Sequence, residues 1–259
     1  MSVVNTFQTN GILLDEAWMA LFKTYSVLVG ISIDGPQELH DIYRVKRNGA
    51  PTFDRVMAAV HLLKHHDIPF NTLTVVHREN ARHPREVYEF LTGIGSGFLQ
   101  FIPLVEREAQ DDSKALKLVL PDETDASVTP WSLLPNQFGT FLSDIFDLWV
   151  TQDVGKVFVQ MFDSTLASHL GYPATLCSHA AQCGSNFALE ANGDVYACDH
   201  YVYPEHYLAT FITVRWWRST RVWKTGRLVS PKWRTLAKVA SNARSDLPVM
   251  GLSKTPFCF

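Results

Sequence analysis

No cysteine precedes Cys177 in this 259-residue chain, and only four occur in all. So few thiols exclude a disulfide-stapled secreted scaffold. No apolar run approaches the roughly 18 residues of a membrane span. The N-terminus lacks a basic stretch leading into an apolar core, so no secretory signal is visible. These absences predict a cytoplasmic protein with reduced thiols and no membrane partner. No internal repeat is present. Acid is scarce at one end of the chain. Residues 209–259 hold ten Lys/Arg and one acid, Asp246, whereas residues 1–208 hold thirteen Lys/Arg and twenty-five acids. The same tail carries Trp216, Trp217, Trp223 and Trp233. Basic and aromatic groups together suit nucleic acid. The tail has no periodic pattern and no module signature, so nucleic acid is not an expected partner. A shift this abrupt marks a new domain, a basic tail or a change in the origin of the sequence.

What is present is strand–helix alternation. Val3 to Gln8 reads as a strand ending at the Thr9-Asn10-Gly11 turn. Asp15 to Phe22 reads as a helix with Leu14, Trp18 and Leu21/Phe22 on one face. Val27 to Ile33 is a continuous apolar run, as a buried parallel strand requires. Asp34-Gly35-Pro36 stops it. Thr52 is positioned to cap a second helix through Phe53, Val56, Val60 and Leu63. Phe70 to Val76 is a third strand, Pro84 opens a third helix, and Phe98 to Ile102 is a fourth strand. This rhythm predicts an α/β fold with a parallel sheet. Four strands suit an open sheet or part of a barrel. In both, ligands sit at the C-terminal strand ends.

Residues 106–130 are polar and charged and read as a loop or insertion. Asn136 to Val150 and Val154 to Leu170 read as helices. Phe187 to Glu190 and Val195 to Cys198, joined by Ala191-Asn192-Gly193-Asp194, form a hairpin signal. Cys177, Cys183 and Cys198 bracket it in a C-x5-C-x14-C spacing, and Asp199 follows the third at once. Grouped thiols of this kind suit an iron–sulfur cluster; zinc is the rival that spacing leaves open. An iron–sulfur cluster normally takes four ligands, and Cys258 lies far from the other three in sequence. The expected divisions are residues 1–105, 106–170, 171–208 and 209–259.

Several stretches together carry a resemblance. They are Gln8-Thr9-Asn10-Gly11, Gly30 to Pro36 with His40-Asp41 and Arg44, Thr74 to Val76, Leu99 to Leu104, and Cys177 through Asp199. In this order they resemble the anaerobic sulfatase-maturating enzymes, radical S-adenosylmethionine proteins with a cysteine-rich SPASM-type domain. The likeness covers roughly residues 5–208. It implies a partial (β/α)6 barrel with about four strands, followed by the start of a SPASM-type module. It implies S-adenosyl-L-methionine held over a [4Fe-4S] cluster and cleaved to a 5′-deoxyadenosyl radical. That radical takes hydrogen from a Cys or Ser of a sulfatase peptide, which becomes formylglycine. An electron donor such as flavodoxin or ferredoxin is implied as a further partner.

By the same resemblance Ser32 and Arg44 contact the amino and carboxylate ends of S-adenosylmethionine, and Leu104 packs on its adenine. Cys177, Cys183 and Cys198 are ligands of an auxiliary cluster, and Asp199 deprotonates the substrate. Asn10, Asn71 and Gln100 either line the site or satisfy buried backbone. His61, His65 and His66 read as a solvated helix face. Two departures stand out. The family's Cys-x3-Cys-x2-Cys loop and its Gly-Gly-Glu-Pro segment have no counterpart, and Met1 falls near the family's third strand. After Leu208 the likeness stops, and a change of reading frame near residue 209 is the expectation. The chain as written is therefore expected to be an inactive fragment, with the edge of Val3–Gln8 an aggregation hazard.

Overall fold

The structure, a computed structural model, describes residues 5–109, 119, 126–180 and 187–210. In chain order its elements are β1 (Thr6–Thr9), α1 (Glu16–Thr24), β2 (Leu28–Ser32), α2 (Gln37–His40), α3 (Phe53–His65), β3 (Phe70–Val76), α4 (Pro84–Gly93) and β4 (Phe98–Pro103). They continue with β5 (Arg107–Ala109), β6 (Ala126–Val128), α5 (Pro135–Gln152), β7 (Phe158–Val159), α6 (Gln160–His169), β8 (Ala188–Leu189), β9 (Asp194–Tyr196) and β10 (Tyr207–Thr210). Two compact units divide the chain, Met1–Asp163 and Ser164–Phe259.

The first unit is built on a five-stranded sheet in the order β1-β2-β3-β4-β7. Every pairing in it is parallel. Parallel strands need helices on their faces to cover apolar side chains. Met19 and Phe22 of α1, Val56, Val60 and Leu63 of α3, Leu91 of α4 and Phe141, Ile145 and Trp149 of α5 meet Val29, Ile31, Leu99 and Val159 of the strands in one buried cluster. Each such side chain contributes roughly 1.5–3 kcal/mol by leaving water.

Four local expectations need correction. Leu21 does not share the buried face of α1: it is 44% exposed, while Met19 is fully buried. Helical pitch brings Met19 under the sheet and turns Leu21 outward. Thr52 does not cap α3 with its hydroxyl. The Asp41 carboxylate takes that role, accepting from the backbone N–H of Thr52 and Phe53 at 2.9 and 3.0 Å. Residues 106–130 include strands, because β5 and β6 pair antiparallel. Finally, Val154 to Leu170 is not one helix. Phe158 and Val159 join β4 as a fifth strand before α6 begins. Two residues are too short for any periodicity to reveal.

In the second unit, β8, β9 and β10 form an antiparallel sheet in the order β10-β9-β8. The expected hairpin is present in shorter form. Asn192 Oδ1 accepts from Asp194 N–H at 3.0 Å and Gly193 takes φ +89°, which suits a residue without Cβ. Residues 211–259, and with them Cys258, the four tryptophans and the basic run, lie outside the described residues. No helix among the described residues is long and apolar enough to cross a membrane.

Candidate functional site

Because β1 to β4 run parallel, Thr9, Ser32, Val76 and Pro103 end at one edge of the sheet. The segments leaving that edge are tied together by backbone bonds. Leu104 donates its N–H to Val76 C=O at 2.9 Å and accepts from Leu133 at 2.8 Å. Ser32, the last residue of β2, and Leu104, just past β4, are both half-buried. Gln100 and Asn71 are half-buried within β4 and β3, and Asn10 accepts from Ile12 N–H within its turn. His66 pairs with Glu16 at 2.7 Å, and His65 stacks edge-on to it.

At the exit of β2 the structure builds a charged centre that the sequence motifs did not reveal. Asp34 is 3% exposed. Its carboxylate accepts from Arg44 through Nε to Oδ2 at 2.5 Å and through Nη2 to Oδ1 at 2.9 Å. Such a side-on fork is among the stronger pairings open to a carboxylate. Oδ1 also accepts from Val75 N–H at 2.9 Å, linking the pair to β3. Asn80 donates Nδ2 to the carbonyls of Asp34 and Val75 at 3.1 and 2.9 Å. Both carboxylate oxygens therefore have partners, which a buried ion pair needs if it is not to be a net cost.

Two buried histidines flank this pair. His40 is 0% exposed and His77 1%. Burial pushes both imidazoles below the ordinary histidine pKa, against the opposing pull of the Asp34 charge. His77 Nδ1 accepts from Glu79 and Asn80 N–H at 3.2 and 3.3 Å, and the Tyr43 ring stands edge-on to it at 4.7 Å.

Gly35 makes the turn possible. Its φ of +129° disfavours any side chain, and a Cβ there would lie 3.2 Å from Val87 Cγ2. Gly35→Ala is expected to destabilise the chain by about 1–3 kcal/mol, read as a lower urea midpoint with an unchanged slope.

The cysteine module lies in the second unit. Cys177 is half-buried in a single 3₁₀ turn, and Cys198 is 5% exposed after β9. Neither is joined in a disulfide among the described residues. Cys198 Sγ donates to Asp199 Oδ1 at 3.3 Å. The Asp199 side chain is 69% exposed. Cys183 lies outside the described residues. Among the described residues no three His, Cys, Asp or Glu side chains gather as a metal site.

Residues 3–91 match the Radical SAM superfamily. The chain is 43% identical over 207 residues to the serine-type anaerobic sulfatase-maturating enzyme of Bacteroides thetaiotaomicron, covering 80% of this chain and 50% of that one. It is 34% identical over 208 residues to the cysteine-type enzyme of Clostridium novyi, covering 80% and 52%. The structure of native anSMEcpe with bound AdoMet and Cp18Cys peptide superposes with a TM-score of 0.77 at 28% identity, over 95% of this chain and 64% of that one. Fold and likeness together define a radical S-adenosylmethionine protein, and the chain belongs to that superfamily. Within it, the chain is a homologue of the anaerobic sulfatase-maturating enzymes. It spans about half the length of the curated relatives it matches.

The sheet edge suits S-adenosylmethionine. The Nη1 end of Arg44 has no partner among the described residues and its side chain is 24% exposed; Arg44 is anchored on Asp34, two residues past Ser32, whose hydroxyl ends β2. The same edge does not suit an iron–sulfur cluster, because residues 1–176 contain no cysteine.

Proposed function

We propose that these residues serve a sulfatase-maturase-like reaction, the oxidation of a Cys or Ser of a sulfatase peptide to formylglycine. The observation that carries this reading is the 43% identity over 207 residues to a serine-type enzyme of that class. S-adenosylmethionine, when bound and reduced, supplies the radical that removes hydrogen from the substrate. Ser32 and the free edge of Arg44 hold the polar end of that cofactor. Arg44 presents two parallel N–H groups there, the geometry a carboxylate prefers. Leu104 packs against the adenine. Asp199 takes the proton of the substrate thiol or hydroxyl; exposure of its side chain leaves it within reach of a peptide. Cys177, Cys183 and Cys198 are thiolate ligands of an auxiliary iron–sulfur centre. A flavodoxin- or ferredoxin-like donor, and the cytoplasm as the compartment, complete the reading.

The absence of cysteine ahead of Cys177 favours a second reading for these 259 residues taken by themselves. They position cofactor or peptide and bind metal without generating the radical. Anaerobic reconstitution with iron and sulfide separates the two readings. Iron and sulfide retained after desalting, with no 5′-deoxyadenosine formed from S-adenosylmethionine and dithionite, is the expected result. Zinc alone would support a metal-binding remnant outside this chemistry, and formation of 5′-deoxyadenosine would overturn the second reading.

A further inference from the structure

Four residues at the exit of β2 form a closed ring of hydrogen bonds. Asp34 donates its backbone N–H to His40 Nδ1 at 3.3 Å. His40 Nε2 lies 3.1 Å from Thr52 Oγ1. Thr52 Oγ1 donates to the Arg44 carbonyl at 2.5 Å. Arg44 closes the ring on the Asp34 carboxylate. His40 and Thr52 are buried, at 0% and 4% exposed.

The ring admits one arrangement of protons. A backbone N–H can only donate, so Nδ1 of His40 must be bare. Thr52 has one hydroxyl proton, and it is spent on the Arg44 carbonyl. Its oxygen must therefore accept from His40, which places a proton on Nε2. The imidazole is thus neutral and in the Nε2–H tautomer. Through this ring the backbone of Arg44 and the far edge of its guanidinium are both fixed, one by Thr52 and the other by Asp34. Asp34 takes the Nε/Nη2 edge and leaves the Nη1 edge pointing away from it.

We propose that His40 and Thr52 are positioning residues that set Arg44 for the carboxylate of S-adenosylmethionine. This rests on the role given to Arg44 above. His40 itself touches no cofactor. Its contribution is to hold Arg44 where two N–H groups meet two oxygens instead of one. The ring also explains why His40 and Asp41 stand together: Asp41 caps α3 while His40 reaches the residue before that helix.

Two measurements on the full chain test this. The first is the ¹⁵N-imidazole NMR spectrum at neutral pH, which is expected to show His40 neutral with its proton on Nε2. An Nδ1–H tautomer, or a charged ring, would overturn the ring itself. The second compares two probes, S-adenosylmethionine and 5′-methylthioadenosine, which lacks the amino-acid carboxylate. His40→Gln keeps a donor toward Thr52 but loses the Nδ1 acceptor. It is expected to weaken S-adenosylmethionine by about tenfold, as for loss of one charge-assisted contact, with methylthioadenosine unchanged. Thr52→Val, which keeps shape and loses the hydroxyl, should behave alike, and Thr52→Ser should restore binding. Equal weakening of both probes would show a purely structural role and overturn the proposal. A wild-type chain that binds neither probe would overturn the role of Arg44, with the NMR result still deciding the ring.

Discussion

Replacing Asp34 by alanine is expected to destabilise the chain by about 3–5 kcal/mol, because it strands a guanidinium whose partner is buried. The same change removes the acceptor for Val75 N–H, which ties the β2 exit to β3. Urea unfolding followed by circular dichroism reads the loss directly. Asp34→Asn should cost less, since the amide oxygen still accepts one of the two bonds. Glu79→Ala is the control. Its pairing with Arg82 joins side chains that are 57% and 41% exposed, so it should change stability by less than about 1 kcal/mol. Equal costs for Asp34→Ala and Glu79→Ala would contradict the assignment of Asp34 as the electrostatic centre of this edge.

Mild acid is expected to unfold the chain more readily than its carboxylates alone would allow. His40 and His77 are held below the ordinary histidine pKa of 6.5, chiefly by burial. The unfolded chain therefore binds more protons than the folded one as pH falls below 6.5. Stability is intact above that value and is lost on the way down to the lowered folded pKa. Each histidine contributes a limiting slope of roughly 1.4 kcal/mol per pH unit in that window. Asp34 and Glu79 pull the other way for His77, and Arg44 acts with burial. Urea midpoints between pH 7.5 and 5 read the effect. His77→Phe, which keeps a ring beside Tyr43, should flatten the slope by about one proton's worth. A pH-independent midpoint in the wild type would contradict the neutral state of both rings.

The parallel sheet was readable because its strands carry long apolar runs bounded by turn residues. The run Phe70 to Val76 coincides with β3, and Pro84 opens α4 as proline at a first helical position should. The fifth strand was hidden because Phe158 and Val159 sit in an apolar stretch that also fits a helix. Polar pairing was less legible still. Asp34 looked like the start of a turn, and nothing in its spacing from Arg44 distinguishes a solvated acid from one that is 3% exposed. Thr52 satisfied the rule for a helix cap, yet Asp41, eleven residues earlier, took that place because the chain folds back on itself. His40 carried a signal only as a match to a family pattern. Its role needed three-dimensional contacts that no period encodes. The cysteine spacing stands as a pattern of the sequence: Cys183 lies outside the described residues, and what the structure adds is the hydrogen bond from Cys198 to its neighbour Asp199.

On the proposed reading, the C-terminal edge of the sheet seats S-adenosylmethionine with its carboxylate on Arg44. Titration calorimetry of the full chain with S-adenosylmethionine, set beside Arg44→Lys, tests it most directly. Lysine can still neutralise Asp34 but offers no second parallel N–H pair. Saturable binding by the wild type is expected, with at least about tenfold weaker binding by Arg44→Lys and unfolding midpoints close together. Equal affinity for the two chains, or none for the wild type, would contradict it.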